Sequence, residues 1–277
     1  MSISRNSLLL AIGVLLSPMA ATGQGPTGTW YVTAGDGGKT WMVHGATATP
    51  FAQANNPAIM GGEQAIAVAG DIRTLSNGPG SGLGSLYSLN GAYSGTSYAY
   101  PLPNDHLYDG TTDGLFNYSV GYNTGDVWQF ARDWSAPSLL FSGQGLSLGI
   151  TYDPTNNSLW IANFAFSTVS DFTFGGVQLS SFTVPFYEPT SLAMDYTDGT
   201  LWMGSQQSLG TFYQFDRNGS QLQSVTYANM ANQNTLGGEF DLGATTTAPE
   251  PASVVLLGTG LVVILGAGAR RRRRQDQ

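Results

Sequence analysis

Apolar and polar residues alternate along most of the chain in short runs, and the runs recur. The stretches ITYDPTNNSLWIA (150–162) and LAMDYTDGTLWMG (192–204) align without a gap and begin 42 residues apart. A looser copy, LYDGTTDGLFNYS (107–119), fits when Asp109 is matched to Asp153 and Asp195, each six residues before a leucine (Leu115, Leu159 and Leu201). A second unit begins GSLYSLNGAYSG at 84, GDVWQFARDWSA at 125, STVSDFTFGGVQ at 167 and GTFYQFDRNGSQ at 210, at spacings of 41, 42 and 43. Each period reads as strand, polar turn, strand ending in Leu-Trp or its equivalent, loop, strand with alternating aromatics, tight turn and strand. Asn218-Gly219 and Gly175-Gly176 mark the tight turns, where glycine supplies the positive φ that a hairpin needs.

Four antiparallel strands every 42 or so residues, with no helical period between 25 and 247, predict an all-β chain folded as a β-propeller. At this period the segment accommodates about five to six four-stranded blades. LGGEFDLG (236–243) reads as the first strand of another unit, placed to pair near Trp30 and Trp41 and close the ring. Trp160 and Trp202 occupy equivalent positions of successive blades. With Tyr87, Trp128, Trp134 and Tyr213 they are expected to fill the core between blades rather than to stack on sugars.

The two ends differ from this body. Arg5, an apolar run from Leu8 to Leu16, Pro18 and small residues predict a secretory signal peptide over 1–23. At the other end, Ala252 to Ala269 carries no charge and approaches the length of a membrane span, which predicts one C-terminal transmembrane helix. Arg270, Arg271, Arg272, Arg273 and Arg274 follow it as a stop-transfer cluster, placing the body (25–247) outside and the tail inside. Pro249, Glu250 and Pro251 precede the span. This order over 248–274 resembles the PEP-CTERM sorting signal of Gram-negative bacteria, in a C-terminal region spanning 248–277. The resemblance implies that an exosortase recognises Pro249, Glu250 and Pro251, removes the tail and passes the protein to the cell surface or matrix. The membrane is then a partner only before processing, and extracellular polysaccharide of a biofilm is the implied partner afterwards.

Charge and chemistry narrow the rest. The chain has no cysteine, so disulfides and thiolate chemistry are excluded. Between 25 and 247, four basic residues (Lys39, Arg73, Arg132, Arg217) stand against sixteen acidic ones, a net charge of −12 that excludes nucleic acid as a partner. AGDGGKTWMVHG (34–45) resembles the Asp-box of sialidase-like propellers, with Asp36, Gly38, Thr40 and Trp41 matching and Ala34 in place of Ser or Thr. The resemblance implies a structural hairpin, not catalysis, because an arginine triad for an acidic sugar would have to come from Arg73, Arg132 and Arg217 in different units. No catalytic residue, metal site or cofactor is predicted. His44 and His106 lack metal-binding spacing. DGTTDG (109–114) and DYTDG (195–199) lack the spacing of a calcium loop and read as turns. A carbohydrate-active propeller enzyme is the alternative, with Glu63, Asp71, Asp133, Glu188 and Glu239 as candidate carboxylates.

Overall fold

The computed structural model describes residues 23–35, 39–51 and 62–243. The signal peptide, the Pro249–Pro251 motif, the apolar span, the arginine cluster, and Asp36 and Gly38 of the Asp-box-like stretch all lie outside the described residues. Within them the chain forms five antiparallel four-stranded sheets. Blade 2 is built in chain order from β4 (Glu63–Val68), β5 (Ile72–Ser76), β6 (Leu83–Tyr87) and β7 (Tyr93–Ala99). Blade 3 follows with β8 (Thr111–Thr112), β9 (Phe116–Val120), β10 (Asp126–Ala131) and β11 (Ser138–Ser142). Blade 4 comprises β12 (Ser147–Asp153), β13 (Ser158–Asn163), β14 (Thr168–Thr173) and β15 (Gln178–Thr183). Blade 5 comprises β16 (Pro189–Asp195), β17 (Thr200–Ser205), β18 (Thr211–Phe215) and β19 (Gln221–Thr226).

Blade 1 is composite. Its β1 (Trp30–Ala34), β2 (Thr40–His44) and β3 (Thr47–Pro50) are completed by β20 (Thr235–Phe240), whose Glu239 pairs with Tyr31 and Gly238 with Val32. The predicted sheet exchange between the two ends of the body is therefore present, and the blade number is five. The inner strands β20, β4, β8, β12 and β16 each contact the next around a closed circle. They start on one face of the ring, called here the crossover face because the chain passes there from each outer strand to the next blade. They end on the hairpin face, where inner strands turn into second strands.

Five separate apolar clusters occupy the five blade interfaces. Trp160 and Trp202 are buried at equivalent positions, opposite Thr151 and Ala193 of the neighbouring strands. Trp134 and Tyr87 are buried as expected, whereas Trp128 and Tyr213 are half-buried against the same clusters. Thr40 and Trp41 are buried, Trp41 in the cluster shared by blades 5 and 1. Gly176 and Gly219 hold φ of 79° and 85° at the tight turns, and Gly219 closes Asp216 onto Ser220 with a bulge at the next pair. Such turns match the twist of the flanking strands.

The structure corrects one register. Met194 and Tyr152 donate backbone N–H groups to the hydroxyls of Thr151 and Thr111, so these threonines are equivalent in blades 4 and 3. Asp113, not Asp109, therefore matches Asp153 and Asp195. Its carboxylate accepts from the backbone of Leu115 and Phe116, as a turn aspartate does. Asp109 lies four residues earlier, on the approach to the ring axis.

Candidate functional site

Asp109 and Glu239 lie at the axis, both 0% exposed. Asp109 Oδ1 accepts from Gly110 N at 2.9 Å and Gly238 N at 2.8 Å, while Oδ2 accepts from Ile150 N at 3.1 Å. One carboxylate thus ties blades 3, 4 and 1 together. The Gly238 that donates to it must be glycine for another reason, because a Cβ there would strike the Trp30 indole. Glu239 accepts from Phe240 N at 2.9 Å and from the Thr151 and Tyr196 hydroxyls at 3.3 Å, with Thr111 also bonded to it. Burial pushes both carboxyls well above the usual range, and the neighbouring Glu239 charge raises Asp109 further. No lysine, arginine or histidine is among the groups that shift either carboxyl. Glu239 sits among hydroxyls that can accept as well as donate, whereas the Asp109 carboxyl faces three backbone N–H donors.

This burial has a consequence for stability. A carboxyl whose pKa is raised on folding keeps a proton that the unfolded chain releases. The contribution is complete below the unfolded values of 3.8 and 4.5 and is lost as pH rises toward the folded values. Asp133 and Asp216 are shifted downward in turns and act in the opposite sense only near and below 3.8. The guanidinium chloride midpoint is expected to be higher at pH 5 than at pH 8, with Glu239→Gln flattening the difference. A midpoint that climbs with pH over this range would contradict the assignment.

The other candidate carboxylates do not converge on the axis. Glu63 is buried between blades 1 and 2, where both of its oxygens accept from Tyr87 Oη at 2.9 Å, and burial raises its pKa. Asp71, at the hairpin face, pairs with Arg73 at 2.7 Å and Arg132 at 3.0 Å. Asp133 accepts from the Ser135 backbone and hydroxyl in an exposed turn, and Glu188 accepts from Gln207 Nε2 at 2.6 Å. Arg217 pairs with Asp153 at 3.0 Å in another part of the ring, so the three arginines form no triad. His44 and His106 bond to Gly28 O and Asn77 O on separate blades. Asp195 and Asp198 are occupied by backbone and side-chain donors of their own turn, Thr197 and Thr200.

The crossover face carries a different arrangement. His106 stacks on Tyr108 with centroids 6.0 Å apart, Tyr108 meets Tyr122 edge-on at 5.3 Å, and Tyr122 meets Phe164 at 6.0 Å. Phe164 then shares a depression of about 410 Å³ with Tyr187, Glu188 and Gln207. Next to it, Phe166, Phe186 and Tyr187 line a hollow of about 470 Å³. His106, Tyr108, Tyr122 and Phe164 are half-buried; Phe166 and Tyr187 are 57% and 76% exposed.

Local structure positions this track. Asp105 is buried and accepts from His106 N, Asn123 N and the Thr124 hydroxyl, which locks the approach to β8 onto the β9–β10 turn. Leu146 N donates to Tyr122 O, and Phe164 N donates to Leu146 O, so blades 3 and 4 are joined beneath the rings. Leu146 and Glu188 hold φ of 64° and 56° at the same point of successive crossovers. Such strain persists only where surrounding bonds over-determine it. Blades 3 to 5 contribute no cation to this face, because Arg132 and Arg217 both lie in hairpin-face turns. The sequence reading missed these aromatics, although Tyr122 and Phe164 share one position of the 42-residue period.

No protein-family model matches the chain, and no curated protein matches it. Similarity to solved structures is confined to architecture. One chain of a nidogen–laminin complex matches with a TM-score of 0.52 at 11% identity, over 78% of this chain and 98% of that one. A protein of unknown function from Bacteroides thetaiotaomicron matches with a TM-score of 0.53 at 14% identity, over 80% of this chain and 63% of that one. A virginiamycin B lyase from Staphylococcus aureus matches at 0.43 and 16% identity, over 74% of this chain and 73% of that one. The fold is shared. At these identities the likeness speaks for the β-propeller alone.

Proposed function

We propose that the chain is an exported, exosortase-sorted surface or matrix protein whose propeller binds extracellular polysaccharide without catalysis. The observation that carries the binding reading is the aromatic track from His106 to Tyr187 on a face where blades 3 to 5 place no cation. Half-exposed rings offer flat apolar surface to the C–H faces of sugars, while Glu188, Gln207 and the ring hydroxyls offer hydrogen bonds. A body at −12 repels polyanions and so favours a neutral polymer. The non-catalytic reading is supported by the burial of Asp109 and Glu239, since a carboxyl sealed from solvent cannot reach a glycosidic oxygen. The sorting reading rests on Pro249, Glu250 and Pro251 with the span and arginines behind them.

Fractionation of the native host tests both parts. Mature wild-type protein is expected in the polysaccharide fraction, lacking the peptide from Ala252 to Arg270 by mass spectrometry. With Pro249, Glu250 and Pro251 all changed to alanine, the chain should stay uncut in membranes with its propeller folded. Tyr108→Ala/Tyr122→Ala/Tyr187→Ala should be processed normally yet wash from the polysaccharide. Mature protein that retains the tail sinks the sorting reading, and a triple variant held as firmly as wild type sinks the binding reading.

A further inference from the structure

A cleft of about 250 Å³ opens between blades 3 and 4, beside the aromatic track but distinct from it. Ile161 forms its floor and the half-buried rings of Phe141 and Phe172, 5.7 Å apart and tilted by 36°, form its apolar walls. Asn163 is fully engaged: its amide donates to Gly145 O and Ser147 Oγ, and its carbonyl accepts from Ala165 N and Phe166 N. It is a fixed wall. Gln144, Thr168 and Gln178, by contrast, have side chains without an intramolecular hydrogen bond among the described residues, and all three line the cleft. No ionisable side chain lines it. Gly125 and Gly143 let the two rim segments pack directly on each other, since a Cβ on either would meet backbone atoms of the facing segment.

We propose that this cleft binds one uncharged sugar unit, with its C–H face on Phe141 and Phe172 and its hydroxyls on Gln144, Thr168 and Gln178. Apolar walls with unspent amides and a hydroxyl call for a ligand that has both a C–H surface and several neutral hydrogen-bonding groups. A pyranose ring of monosaccharide size has both. An apolar peptide side chain would leave the two amides and the hydroxyl unmatched, and an ionised sugar would find no counter-charge inside a strongly acidic body. The proposal rests on the polysaccharide-binding reading but uses separate residues, so the two can fail separately.

The test uses the full-length chain in a detergent without a sugar headgroup, titrated with D-glucose, D-galactose, D-mannose and N-acetyl-D-glucosamine, and followed by saturation-transfer NMR. At least one of these is expected to receive saturation, and D-glucuronate is not. Gln144→Ala/Gln178→Ala should weaken that binding by about tenfold or more. Its melting temperature should stay that of the parent, because both side chains are exposed. Thr168→Val, which keeps the shape and removes only the hydroxyl, should weaken binding in the same direction. Tyr108→Ala/Tyr122→Ala should leave monosaccharide binding unchanged even if polysaccharide retention is lost. The proposal is overturned if none of the four sugars binds, if glucuronate binds equally well, or if the glutamine double variant binds like the parent. Loss of monosaccharide binding in the tyrosine variant alone would place the sugar on the track and also overturn it.

Discussion

A chain that stops at Asn234, and so lacks β20, is expected to show no cooperative unfolding transition and to aggregate, whereas a chain that stops at Thr247 melts as the parent does. β20 supplies the inner strand of blade 1 through five paired positions along β1. Without it β1 presents an unpaired edge toward the axis, a template for association. Phe240 leaves the face of Trp30, where the rings stack at 5.7 Å and 6°. Asp109 loses the Gly238 N–H while remaining buried against β12, and Thr111, Thr151 and Tyr196 lose the acceptor they share. Leaving a buried polar group unpaired costs about 1–3 kcal/mol each. Together with the lost burial, that is comparable to the roughly 5–15 kcal/mol by which a native domain is stable. Circular dichroism and differential scanning calorimetry check the result. Adding a synthetic peptide covering 233–243 should restore a cooperative transition, because the missing strand is a contiguous piece of sheet. A truncated chain that melts cooperatively by itself would show that the ring does not depend on this closure.

Replacing Trp202 by alanine is expected to lower stability by roughly 3–5 kcal/mol, and Trp160→Ala by a comparable amount. Both indoles are buried, at 0% and 1% exposure, and neither interface can collapse freely. Trp202 lies 6.3 Å from Trp30 in the cluster that seals blade 5 against blade 1, and Phe212 approaches Trp30 edge-on at 4.6 Å. Trp160 packs against Phe182 at 5.9 Å in the cluster between blades 4 and 5. The strands that frame each cavity are held by inter-strand hydrogen bonds, so they cannot close in without breaking pairs. Chemical denaturation of both variants at pH 5 reads the effect. Variants that unfold at the parent's denaturant midpoint would mean that the interfaces relax around the loss.

Much of this architecture was legible in order along the chain. Alternation located most strands of blades 4 and 5, the Asn-Gly and Gly-Gly pairs located their outer turns, and the 42-residue step placed Trp160 and Trp202 at one position. It also placed 236–243 as a strand in search of a sheet. Blade 3 was misread for a definite reason. Its first hairpin, from Asp113 to Phe116, is two residues shorter than that from Asp153 to Ser158. Equivalent residues of blades 3 and 4 are therefore 40 apart on the first strand, as Thr111 and Thr151 are, but 42 apart on the second, as Tyr118 and Trp160 are. A gapless match cannot satisfy both, and it turned an axial carboxyl into a turn residue.

Strand identity and blade period come from side-chain alternation and turn chemistry, which act over a few residues and leave their mark in the order of amino acids. Which groups meet at the axis, or across the crossover face, is set instead by closing the ring, and that closure joins positions far apart in the chain. Gly238 donates to Asp109 across 129 residues and Thr151 to Glu239 across 88. No local pattern marks those partners, because the groups that meet at the axis come from different blades. The same holds for Tyr108, Tyr122, Phe164 and Tyr187: each reads alone as an ordinary loop aromatic, and they form a track only because crossovers and second-to-third-strand turns of successive blades reach the same side of one ring.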